Sequence, residues 1–151
     1  MIFDRTQKDV DDALVIRDEK VKNFVELTAD DLSTLERGFL TINTLNRIEN
    51  KTAELWESIR EIYYYTEPLS TRTWDYTDFF QESDFERIIH NLEKLKKAFL
   101  LYHDTPLMPM FNYRRFEVIN DAEKILFDID RMIEEIKSLW RECGTFQCGE
   151  E

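Results

Sequence analysis

The residues in this chain best suited to chemistry are few, and their spacing works against them. The two histidines are His90 and His103. Glu86 stands four residues before His90, whereas a di-metal helical bundle needs Glu-x-x-His at a spacing of three, twice over. His90 therefore reads as a surface or boundary residue of a helix. The chain contains no His-Glu-x-x-His, no glycine-rich phosphate loop and no Gly-x-Ser-x-Gly elbow. Carboxylates come in close pairs: Asp11 with Asp12, Asp30 with Asp31, Asp128 with Asp130, Glu134 with Glu135. Adjacent side chains on a helix point about 100° apart, so such pairs do not converge, and they read as wet faces. No calcium loop of the EF-hand type fits around them. Cys143 and Cys148 could close a small disulfide loop, but in an acidic cytosolic chain they are expected to stay reduced. One such pair also falls short of the four ligands zinc takes. Tyr63, Tyr64 and Tyr65 could stack on a sugar or base, although such a cluster more often caps a core. No catalytic, cofactor-binding or metal-ligating residue is expected, and the chain reads as non-enzymatic.

If the chemistry is not in a pocket, the elements that shape the surface matter more. The chain has 151 residues, 42% of them hydrophobic, and only three Gly and three Pro. That length supports one domain with a core, and so little punctuation favours helices over a many-turned β fold. The formal net charge is −12. Each half of the chain carries 10 basic and 16 acidic residues, so the acidity is spread evenly. It reads as a solvated, self-repelling surface, with mimicry of nucleic acid as the functional alternative. It argues against direct nucleic-acid binding, which needs a basic face. The opening reaches Asp4 without a basic start and apolar run, so no signal peptide is expected. No apolar run is long enough to predict a membrane span.

The apolar spacing predicts an all-α antiparallel bundle of about five helices. An N-terminal pair occupies residues 1–40, three long helices residues 41–142, and a short non-helical tail residues 143–151. The first helix starts near Thr6 with Asp9 in a capping arrangement, and Val10, Leu14, Val21 and Phe24 share a face. The second is capped by Thr28 and ended by Gly38. The third runs from about Ile42 to Tyr64 with Leu45, Ile48, Thr52, Leu55, Ile59 and Ile62 as its seam. The fourth starts at Ser83, with Glu86 completing a capping box. Its seam is Phe85, Ile88, Leu92, Leu95, Phe99 and Tyr102. The fifth, about Tyr113 to Glu142, carries two apolar stripes. Ile119, Ala122, Leu126, Ile129, Ile133, Ile136 and Trp140 form one; Val118, Ile125, Met132 and Leu139 form the other. Two stripes predict a central position.

Two loops are too apolar for plain linkers. Residues 66–82 hold Pro68, Trp74, Tyr76, Phe79 and Phe80; residues 103–112 hold Pro106, Met108, Pro109, Met110 and Phe111. Either they fold over the ends of the bundle, or they form a patch that meets another protein. Trp74, Tyr76, Phe79, Phe80, Met108, Met110, Phe111 and, in the tail, Phe146 are the candidate interface residues. The helix starts Leu45-Asn-Arg-Ile-Glu49, Phe85-Glu-Arg-Ile-Ile89 and Phe116-Glu-Val-Ile-Asn120 also resemble one another. Ordinary amphipathic patterning produces such matches, and their uneven spacing argues against a solenoid. Arg47 and Arg87 match within them, and each is expected to reach an acidic neighbour or a carbonyl at a helix junction.

The order of short motifs resembles a family of small structural proteins from the tail and tail-fibre region of phages and prophages of Gram-positive bacteria. The pieces are Phe3-Asp-Arg-Thr-Gln-Lys-Asp-Val10, Gly38 with Leu45-Asn-Arg-Ile-Glu49, Trp74-Asp75, Arg87-Ile88, Thr105-Pro106, Asn120-Asp-Ala-Glu-Lys-Ile-Leu126 and Gly144-Thr-Phe-Gln-Cys-Gly-Glu150. The chain departs from that pattern in its cysteines and at Ile89. The resemblance implies a virion protein made in the host cytoplasm. Its partners would be other tail proteins and further copies of itself, without membrane or cofactor. The competing expectation, from size and charge, is a free acidic inhibitor of a host defence protein, such as an anti-CRISPR.

Overall fold

The computed structural model describes residues 1–63, 68–99, 102–107 and 116–143, with backbone only at residues 63 and 140–143. Among these residues the chain is helical with no strand, as the spacing predicts. Its helices are α1 (Gln7–Ile16), α2 (Ala29–Gly38), α3 (Ile42–Tyr63), α4 (Glu82–Lys97) and α5 (Phe116–Cys143). α5 packs on both α3 and α4, which also pack on each other, while α1 and α2 pack chiefly on one another.

The starts of α1 and α2 follow from local chemistry. The Thr6 hydroxyl accepts from the Asp9 N–H, and the Asp9 carboxylate accepts from the Thr6 N–H at 2.7 Å. Thr28 and Asp31 repeat the box on α2. Each box satisfies helix-start donors and contributes about 1 kcal/mol. At α3 the Thr41 hydroxyl accepts from the Thr44 N–H at 3.2 Å. α4 differs from expectation: its N-cap is Gln81, two residues before Ser83. Asp84, not Glu86, supplies the carboxylate that reaches back to the Gln81 N–H. Asp84 is itself held between Arg72 and Arg87, which aims it at that end of the helix.

The predicted seams form the core. Leu45, Ile48, Leu55 and Ile59 of α3 meet Phe85, Ile88, Leu92 and Leu95 of α4 and Ile119, Ala122, Leu126, Ile129 and Ile133 of α5. Trp56 and Ile89 join them. Val118 and Ile125 bury the second stripe of α5, although Leu139 at its far end is exposed. α4 stops at Lys97, so Tyr102 leaves its seam and instead lies under the Arg131 guanidinium, 3.8 Å from the ring centroid.

Two details of the N-terminal pair overturn the expected face. After Ile16 the backbone widens into a π-helical turn, Arg17–Val21, with Lys22 N–H donating to the Arg17 carbonyl at 2.9 Å. The extra residue per turn rotates the downstream side chains off the α1 face. Val21, the last residue of that turn, is exposed; Phe24 lies beyond it, in the closing turn with φ 56°, and is exposed too, while Ala13 is the buried residue of α1. Gly38 does not end α2 through a left-handed conformation, since its φ is not positive. It is the last helical residue, and glycine is needed there because the two helices touch. A Cβ on Gly38 would lie 2.2 Å from the Ala13 Cβ and 2.5 Å from the Asp9 carbonyl oxygen.

Candidate interaction surface

A polar network inside the bundle decides which segments are pinned and which are presented. On α3, the Asn46 side-chain amide donates to the Trp74 carbonyl at 2.9 Å and accepts from the Trp74 N–H at 2.8 Å. On α5, Asn120 does the same to Arg5, at 2.9 and 3.2 Å. Each asparagine thus closes a pair of hydrogen bonds on an extended segment that crosses its helix. Three residues further along the same face stand two buried carboxylates, Glu49 and Glu123. Glu49 meets Arg87 at 2.6 Å. Glu123 meets Arg5 at 2.6 Å and Arg47 at 2.7 Å, and accepts from the Ile2 N–H at 3.1 Å. Arg47 reaches on to Glu36 of α2 at 2.6 Å, tying the N-terminal pair to the bundle. Arg87 also donates to the Ser70 carbonyl at 3.0 Å. Arg47 and Arg87 therefore play the junction role expected of them.

Burial disfavours the charge on Arg47, but its ion pairs with Glu123 and Glu36 outweigh that and raise its pKa above the ordinary value. Arg87 behaves alike through Glu49 and Asp84. The close carboxylate pairs divide. Asp11, Asp12, Asp30, Glu134 and Glu135 are exposed, as expected of wet faces, whereas Asp31 and Asp128 are buried. Asp128 accepts from Lys124 at 2.6 Å and from the Thr105 hydroxyl at 2.7 Å. Asp31 is held at a pKa of about 2, first by Lys20 and then by Thr28. Burial is tolerable for both because a lysine and a hydroxyl saturate their oxygens.

The pinned loop at residues 68–80 splits the candidate interface residues. Trp74 is 3% exposed and belongs to the core, with the Arg72 guanidinium 4.4 Å above its ring and the Phe80 ring centroid at 5.6 Å. Phe80 is half-buried against the core. For Trp74 the expectation of a surface role is corrected, its backbone being gripped by Asn46 with the ring inside; Phe80 stays partly accessible. Arg72 also pairs with Asp78, and Asp75 accepts from the Thr77 N–H, which closes a tight turn. That turn carries Tyr76 and Phe79 outward, 92% and 85% exposed. Met108, Met110, Phe111 and Phe146 lie outside the described residues, as do Cys148 and the tail from residue 144. Of the second loop, Pro106 is tied through its carbonyl to Lys96, and Leu107 is exposed.

Two surface features have no counterpart among the sequence-based expectations. One is the tip of the N-terminal hairpin, where Phe24 is 97% exposed and Val21, Val25 and, in the first turns of α2, Leu32 are exposed as well. The other is a groove of about 530 Å³ at the opposite end of that hairpin. Val10, Leu40, Phe80 and Phe116 supply its apolar walls, with Arg5 and Arg37 among its polar ones. A tip is invisible to periodicity when the helix register slips, and a groove shared by four segments has no local signature.

The residues that carried the motif resemblance are largely those of the internal network. Phe3 packs on Phe127 at 5.2 Å between ring centroids, Arg5 and Glu123 pair, Asn46 and Asn120 grip, and Thr105 meets Asp128. Among the described residues no group of three His, Cys, Asp or Glu is placed to hold a metal ion, and no helix is long and apolar enough to cross a membrane. Comparison of the chain with protein families, with curated proteins and with solved structures gave no match in any of the three.

Proposed function

We propose that this is a non-enzymatic structural protein of a phage virion, from the tail region, that works through protein–protein assembly contacts. One observation carries the contact reading. A loop anchored by a buried tryptophan and two backbone hydrogen bonds holds Tyr76 and Phe79 almost wholly in solvent. Rigid, exposed aromatic side chains supply large contact area at little ordering cost, which is why they dominate binding hot spots. The tail assignment itself is supported by the ordered motifs. Mass spectrometry of purified particles tests it: the protein is expected in the virion at a fixed ratio to other tail proteins. Its absence from fully infectious particles would overturn the assignment. Tyr76→Ala with Phe79→Ala is expected to leave the fold intact and remove the protein from particles.

The acidic-inhibitor reading draws on a different observation. Arg5, Arg37, Arg47, Arg72 and Arg87 are all engaged in internal ion pairs, which leaves the exposed carboxylates to set the surface field. Capture of a nucleic-acid-processing enzyme from host lysate, lost at high salt, would favour it over the tail assignment.

A further inference from the structure

We infer that residues 1–38 form a hinged arm that lifts off the α3–α4–α5 bundle as one unit, with the Glu123 carboxylate as its latch. The arm is bound to itself. Arg37 of α2 pairs with Asp9 of α1 at 2.8 Å and with Asp4 of the leading segment at 3.3 Å. Lys20 pairs with Asp31 at 2.7 Å towards the other end of the hairpin. Gly38 lies against Ala13 and the Asp9 backbone. The leading segment, α1 and α2 are therefore tied to one another. Phe39, Leu40 and Thr41, none of them helical, join the arm to α3 and can absorb a change in backbone angle.

The arm holds the bundle by other means. Among the described residues, none of α1 or α2 belongs to the apolar core, which is drawn from α3, α4, α5 and Trp74. Val10, Leu14 and Leu35 of the hairpin are only half-buried. The groove of about 530 Å³ opens between the two parts, with Val10 and Arg37 on the arm and Phe116 and Ile119 on the bundle, so the helices do not close-pack there. A segment with little apolar contact to lose opens at a lower free energy than the core. Two polar attachments hold the arm, and both end on one carboxylate. Glu123 takes Arg5 and the Ile2 N–H of the leading segment directly. It also takes Arg47, whose other bond is to Glu36 of α2. Phe3 on Phe127 and Met1 on the core add apolar contact at the same end of the arm. Members of one ion network support each other, so the two attachments release together.

Hydrogen exchange of the full chain in rising, sub-denaturing urea tests it, read amide by amide by NMR. In the wild type, the amides of α1, α2 and Arg5 are expected to share one opening free energy, below that of α3, α4 and α5. Two variants separate this from global unfolding. Ile59→Val trims the bundle core in both the closed and the open form. It is expected to lower protection in α3, α4 and α5 about 5-fold and leave α1, α2 and Arg5 as they were. Glu36→Gln weakens only the closed form. It is expected to lower protection about 5-fold throughout, including at the Arg5 amide, which bonds Asn120 rather than Glu36. Hairpin amides that match those of α3, α4 and α5 and fall with them in Ile59→Val would overturn the proposal. So would an Arg5 amide that stays protected in Glu36→Gln while α1 and α2 lose protection.

Discussion

Replacing Glu123 by alanine is expected to be among the most damaging single changes in this protein. The carboxylate is 0% exposed and serves three donors: Arg5, Arg47 and the Ile2 N–H. Removing one partner of a buried pair costs about 3–5 kcal/mol, because the other charge stays buried without it. Here Arg47 keeps Glu36, and Arg5 keeps the Ile2 carbonyl and Asn120, which places the loss near the lower end, about 3–4 kcal/mol. An unfolding entropy of about 2.1 cal/mol/K per residue converts that to a fall in Tm of roughly 10 °C for a chain this long. Glu123→Gln keeps an acceptor of the same shape and is expected to cost about half as much. Glu57→Ala, which breaks an exposed pair with Arg60, should stay within about 0.5 kcal/mol. Urea denaturation gives the energies. Hydrogen exchange adds a local readout, since the Arg5 amide donates to Asn120 and should lose protection in Glu123→Ala before the core does. A cost below about 1 kcal/mol, or an Arg5 amide protected as in wild type, would refute the idea that this carboxylate ties the N-terminal segment to α5.

Three further outcomes rest on the same geometry. Gly38→Ala drives a methyl into the Ala13 Cβ and the Asp9 carbonyl, and is expected to destabilise by about 2–3 kcal/mol in thermal melts; Ala13→Gly should restore only part, because the backbone clash remains. Trp74→Ala should cost about 3–5 kcal/mol by chemical denaturation, whereas Tyr76→Ala and Phe79→Ala, both solvent-exposed, should each cost under about 0.5 kcal/mol. The N-terminal hairpin should be the acid-sensitive part. The folded pKa of Asp31 is about 2 against an ordinary value of 3.8, and that of Asp9 is lowered through Arg37 and Thr6. Depressed carboxylate pKa values mean that their stabilisation is present above about pH 4 and is lost as the pH falls through the folded values. Exchange protection in α1 and α2 should therefore drop between about pH 4 and 2, ahead of α3 and α5.

Much of the fold is legible in local pattern. Apolar residues three and four apart along α3, α4 and α5 are enough to specify helices with one buried face, and that face is the one buried. Thr6 with Asp9 and Thr28 with Asp31 are likewise readable, because a capping box spans four residues and needs no partner elsewhere. Even the pairing of Arg47 and Arg87 with acids can be expected, although not the acids that receive them.

Local pattern does not decide which polar groups go inside. Glu123 and Glu134 look alike in sequence, yet one is buried and the other exposed. The difference is made by Arg47, 76 residues away, and by Arg5, 118 residues away, which arrive only when the helices pack. Trp74 reads as surface because its loop is irregular; it is core because Asn46, 28 residues earlier, closes both of its backbone bonds. Gly38 reads as a helix stop, and its cause lies across the hairpin at Ala13. Phe24 falls on a buried face by periodicity, but the helix has ended at Val21 and Phe24 sits in the following turn, in water. Helices, caps and the composition of the core are thus encoded locally, since they depend on neighbours within a few residues. The buried ion network, the inward placement of Trp74 and the groove at the open end of the hairpin arise only on packing. Each of those depends on desolvation and contact between distant segments.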